Sequence, residues 1–126
     1  RGADITLDLH FNAASPSANG FEFLHWFGSK NSKRLARSIA SKFDADFLGM
    51  KSRGDGGARS LWFHRWNEHK AYSGRGGAYC YLTPCPAVIC EPGFATNKGD
   101  WGQLKNNHAL IANSYADGVD RYFGRL

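Results

Sequence analysis

Pro86-Ala87-Val88-Ile89-Cys90-Glu91-Pro92-Gly93 decides the fold: an unbroken apolar run, a lone carboxylate, then a Pro-Gly stop. An apolar run of strand length without alternation is the pattern of a strand covered on both faces, and such strands belong to sheets sandwiched between helices. Cys90 lies within the run and reads as a small core residue. Upstream, Asp4-Ile5-Thr6-Leu7-Asp8-Leu9-His10-Phe11 alternates in polarity. That spacing predicts a strand with Ile5, Leu7, Leu9 and Phe11 on one face and Thr6, Asp8 and His10 on the other. Turn-forming residues from Asn12 to Gly20 separate it from Phe21-Glu22-Phe23-Leu24-His25-Trp26-Phe27, a second strand by its aromatic bulk.

Two helices complete the pattern. Leu35, Ile39, Phe43 and Phe47 recur at four-residue spacing with Ala36 and Ala40 beside them, behind capping residues at Ser29 to Ser32 and closed by Gly49. Ile111, Tyr115, Val119 and Tyr122 form one face of a last helix, capped by Asn107 and ended by Gly124. The glycine-rich stretch from Lys51 to Gly77 reads as loops around a short strand, Ser60-Leu61-Trp62-Phe63, and Ala78-Tyr79-Cys80-Tyr81-Leu82 as a further strand broken by Pro84 and Pro86. The expected class is α/β: a single-domain sandwich with a mixed, largely parallel sheet flanked by helices.

The bulk properties agree. A chain of 126 residues with 42% hydrophobic and 21% charged residues describes one compact soluble domain, large enough to bury a core without disulfides. Three cysteines, Cys80, Cys85 and Cys90, are an odd number, so at least one cannot pair within the chain, and their spacing is not CxxC. No apolar run approaches the roughly 20 residues of a membrane span, and the N-terminus lacks a signal-peptide pattern, so no membrane partner is expected. The net charge of +5 suits approach to a polyanion. The Lys and Arg residues are nevertheless dispersed from Lys30 to Arg125 without a nucleic-acid motif, so no nucleic-acid partner is expected. The chain opens on Arg1 and its only methionine is Met50, which leads to the expectation of a trimmed or processed piece.

His10 and Glu91 both fall at the C-terminal ends of predicted strands, where open α/β sheets place their ligands. A glutamate leaving a buried strand suits a general base, and equally a cap or an ion pair. An imidazole at such a position suits zinc, and equally a structural hydrogen bond. His64 and His69 are five apart, which is not the HExxH spacing, and with His25 and His108 they read as structural. Gly74-Arg75-Gly76-Gly77 lacks the Lys-Ser/Thr of a phosphate loop.

The segments Arg1 to Ala13, with its His10-Phe11-Asn12, then Gly20-Phe21-Glu22, then Pro86 to Asn97, with its Glu91-Pro92-Gly93-Phe94, resemble in order and spacing the zinc-dependent N-acetylmuramoyl-L-alanine amidases of phages and bacteria. The resemblance implies Zn2+ as cofactor with His10 as one ligand, and Glu91 as the catalytic carboxylate. It implies peptidoglycan as partner and substrate, cut between the lactyl group of N-acetylmuramic acid and L-alanine in the bacterial cell wall, by a phage lysis enzyme or a bacterial wall-remodelling one. The family's other two zinc ligands, a histidine and a glutamate, precede the His-x-Asn strand, so residues 1–126 are expected to be the C-terminal part of the catalytic domain. Asn12 and Arg75 are candidate substrate contacts; a guanidinium suits a stem-peptide carboxylate, and Trp62 and Trp66 suit sugar stacking. The alternative is a non-catalytic cell-wall-binding module with the same fold.

Overall fold

The buried run forms β4 (Ala87–Glu91) at the heart of a four-stranded sheet, as seen in a computed structural model that describes residues 2–61 and 76–126. The other described elements are β1 (Thr6–Leu9), β2 (Glu22–Trp26), α1 (Lys30–Asp46), β3 (Ala58–Leu61), α2 (Gly76–Leu82), α3 (Lys98–Leu104) and α4 (His108–Tyr122). The strand order is β1-β4-β2-β3. β1 runs parallel to β4 and β2 parallel to β3, while β2 meets β4 antiparallel, so the sheet is mixed as expected. Trp62, Phe63 and Arg75 lie outside the described residues, as do His64, Trp66 and His69.

One sheet face presents Phe21, Phe23, Val88 and Cys90 to α1 and α4. The expected helix stripe is the one buried: Leu35, Ile39 and Phe43 are fully enclosed, and Ser29 caps α1 by accepting a hydrogen bond from the Ser32 backbone N–H. Phe43 centres this core, with Phe21 at 5.0 Å, Phe23 at 5.7 Å, Phe47 at 4.4 Å and Tyr115 at 6.2 Å between ring centroids. The two helices touch at Gly118, where an added Cβ would lie 2.5 Å from the Cα of Ile39. Only a glycine permits that approach.

The opposite face, with Leu24, Trp26 and Ile89, packs against Cys80, and here the sequence reading needs correction. Residues 78–82 were expected to be a strand and instead form most of α2. Their aromatic content favours strands, but the apolar face of β2 and β4 needs a cover, and a helical turn delivers Cys80 and Tyr79 to it while Tyr81 and Leu82 stay exposed. Burial pushes the Cys80 thiol up to about 12 and that of Cys90 up as well, so both remain protonated core residues. α3 has no counterpart among the expected elements. Asn107 is the N-cap residue of α4 as expected, but its side chain donates back to the Gln103 carbonyl at 2.6 Å and makes no capping hydrogen bond.

β1 also departs from expectation. Ile5 and Leu7 reach the core, but Leu9 is 62% and Phe11 37% exposed. β1 is an edge strand, and its last apolar residues overhang a groove of about 240 Å³ between Pro92 and the α4 residues Ile111, Ala112 and Tyr115, with His10 at its rim.

Candidate active site

The parallel register pairs Leu9 with Cys90, so the next residues on each strand, His10 and Glu91, emerge side by side at the same sheet end. His10 Nδ1 lies 3.4 Å from Glu91 Oε1 and His10 Nε2 lies 3.8 Å from Asp8 Oδ2. The imidazole is half-exposed, whereas the Glu91 carboxylate is buried. The loops beyond the strands stay joined: the His10 N–H donates to the Cys90 carbonyl, the Asn12 N–H to the Gly93 carbonyl, and the Ala95 N–H to the Asn12 carbonyl.

A second carboxylate, to which the sequence reading assigned no role, belongs to the same cluster. The antiparallel register places Glu22 directly opposite Glu91 on one face. Like charges paired this way across strands repel, and both groups are removed from water. Asn12 lies between them, its Nδ2 donating to Glu22 Oε1 and to Glu91 Oε2 at 2.8 Å each. Glu22 Oε2 in turn accepts from Arg59 Nη1 at 2.8 Å and Arg53 Nε at 3.2 Å. Asn12, expected as a substrate contact, is only 8% exposed, and its amide is engaged by the two carboxylates.

Burial raises the Glu22 pKa, but the Arg59 and Arg53 guanidiniums outweigh it and hold the carboxyl below its ordinary value of 4.5. A lowered folded-state pKa stabilises the fold fully above the unfolded value and loses that contribution as the pH falls through the folded value. Stability is therefore expected to fall as pH drops below about 4.5, and Glu22→Gln to flatten that dependence. Denaturant midpoints of both proteins measured between about pH 3 and pH 7 check it; equal acid slopes would contradict it.

A buried aspartate braces the site from behind. Asp100 Oδ2 accepts from the Gly20 N–H at 2.8 Å and the Phe94 N–H at 2.9 Å, tying the entrance of β2 to the exit loop of β4. Gly20 takes a φ of +103°, and an added Cβ would lie 2.5 Å from the Lys51 carbonyl oxygen, so both conformation and space demand glycine. The Asn97-x-x-Asp100 spacing was the available signal: Asn97 caps α3 by accepting from the Asp100 N–H.

His10 is suited to bind a metal by its exposure and its place at the strand end. Among the described residues, however, no group of three His, Cys, Asp or Glu side chains is placed to hold a metal ion. A catalytic zinc takes three protein ligands. The donors present thus fit one ligand of such a site and not a complete one.

Residues 1–121 match the N-acetylmuramoyl-L-alanine amidase family. No curated protein sequence matches the chain with significance. Among solved structures, the N-acetylmuramyl-L-alanine amidase of Mycobacterium smegmatis is similar at a TM-score of 0.74 and 18% identity, over 98% of this chain and 55% of its own. The amidase of Nostoc punctiforme gives 0.74 at 19% identity, over 98% and 59%. The catalytic domain of an endolysin targeting Clostridia difficile gives 0.67 at 26% identity, over 94% and 54%. The chain spans little more than half the length of these structures, and the likeness to the first two shows the fold alone. The family match over residues 1–121, nearly the whole sequence, shows that this chain belongs to the N-acetylmuramoyl-L-alanine amidase family.

Proposed function

We propose that residues 1–126 are the C-terminal part of a peptidoglycan amidase catalytic domain acting on the bacterial cell wall. The bond cut is the amide between the lactyl group of N-acetylmuramic acid and L-alanine. The observation that carries this reading, given the family, is the 3.4 Å approach of His10 to the buried carboxylate of Glu91. In this reading Glu91 accepts a proton from the attacking water and returns it to the leaving nitrogen. The C–N bond then breaks to leave a lactyl carboxylate and a free L-alanine amino group. His10 would be one ligand of a zinc whose other ligands lie outside the described residues, and such a metal would supply Lewis acidity for amide hydrolysis. Arg75 remains a candidate contact for the stem peptide.

Mass spectrometry of purified peptidoglycan incubated with zinc and the whole catalytic domain that contains residues 1–126 tests this. Stem peptides beginning in L-alanine beside intact glycan are the expected products, and chelation is expected to stop their release. The alternative reading is a non-catalytic wall-binding module with the same fold. Wall binding that persists in chelator with no stem peptide released would establish that reading instead.

A further inference from the structure

We propose that Asn12 is the positioning residue for Glu91, and that Glu22, anchored by Arg53 and Arg59, is the fixed post that orients Asn12. This rests on the reading of Glu91 as the proton-transferring carboxylate.

The argument begins from the hydrogen-bonding capacity of an amide. A carboxylate only accepts, so an asparagine set between two carboxylates must turn its NH2 toward them, and each of its two hydrogens then finds one oxygen. Both bonds are 2.8 Å long. The remaining polar atom, Oδ1, accepts from the Ala13 N–H at 2.9 Å, which opposes the flipped orientation. The Asn12 backbone is held on both sides by the exit loop of β4, through Gly93 and Ala95. The side chain that grips Glu91 is thus tied to the loop that follows Glu91.

Glu22 is unsuited to chemistry of its own. It is 1% exposed, with Oε1 on Asn12 and Oε2 on two guanidiniums. What it offers is a fixed acceptor, since the arginines locate Oε2 and the planar carboxylate then locates Oε1. The chain of bonds from Arg53 and Arg59 through Glu22 and Asn12 ends on Glu91 Oε2, while Oε1 faces His10. Glu22→Gln keeps the shape but replaces one oxygen with an NH2, which must confront either the Asn12 amide or a guanidinium. Asn12→Asp keeps the shape but replaces the donor with a third acceptor.

Two measurements test the proposal. The first needs no activity: NMR of the 126-residue chain, following the Asn12 side-chain amide protons and the Glu91 carboxyl carbon. Amide protons exchanging at least ~100-fold more slowly than a free side-chain amide are expected, together with a Glu91 carboxyl signal that moves in both Asn12→Ala and Glu22→Gln. Exchange at the free rate in the unsubstituted chain would overturn the proposal even if no variant folds, and so would a Glu91 signal indifferent to both substitutions. The second is a kinetic split on a soluble muramoyl-L-alanyl peptide with zinc, measured on the whole catalytic domain that contains residues 1–126. Asn12→Asp and Glu22→Gln are expected to lower kcat about 10²-fold with KM within about twofold, the mark of a misplaced reacting group. A raised KM at unchanged kcat would make Asn12 a substrate contact instead. If the whole catalytic domain containing the unsubstituted chain cleaves nothing while the NMR signatures hold, the amidase reading fails and the placement of Glu91 by Asn12 stands.

Discussion

Glu91→Gln is expected to lower the rate of stem-peptide release by about 10²–10⁴-fold, the range that a positioned acid–base group contributes. The fold is expected to survive. Glutamine has the size of the buried glutamate, and its carbonyl oxygen can accept the Asn12 amide in place of Oε2. The substitution also removes one of two carboxylates that face each other across β2 and β4, which offsets part of any lost hydrogen bonding. Melting temperature and circular dichroism should therefore stay close to those of the unsubstituted chain, while mass spectrometry of the digest loses the free stem peptides. Full activity in the glutamine variant would remove Glu91 from the chemistry. Loss of both activity and fold would mean that the charge is structural.

Phe43→Ala is expected to cost about 3–5 kcal/mol, a large share of the 5–15 kcal/mol that holds a typical domain together. Phe43 is fully buried and its ring meets those of Phe21, Phe23, Phe47 and Tyr115, so truncation opens a cavity bounded by both the sheet and α4. Among the neighbouring rings, Phe23 is held on β2, Tyr115 on α4 and Phe47 at the end of α1, which limits collapse. Thermal unfolding should show the midpoint falling by roughly 10–20 °C. A shift of only a few degrees would mean that the aromatic cluster relaxes around the gap. The expectation matters for the site because Phe21 and Phe23 flank Glu22, the first residue of β2.

The match and mismatch between sequence and structure follow the range of the interactions. The stripe from Leu35 to Phe43 and the run from Ala87 to Cys90 were legible because their neighbours in sequence are their neighbours in pattern. His10 and Glu91 were legible as strand-end residues for the same reason, and the family motifs picked them out together. Leu9 and Phe11 misled because alternation reports which face a residue is on, not whether that face is covered at a sheet edge. Glu22 was passed over because a glutamate among aromatics in a strand carries no local sign of the partner it meets.

By itself the sequence determined the α/β class, the two long helices, the buried strand and the strand-end placement of His10 and Glu91, because periodicity and terminal residues are set by side chains within a few positions of one another. Only the tertiary structure decided the helical state of residues 76–82, the antiparallel meeting of β2 with β4, and the clamp of Asn12 on Glu22 and Glu91. That clamp joins residues 10 and 79 positions apart. Such contacts depend on strand order and register, which are settled by the packing of whole faces rather than by any local segment.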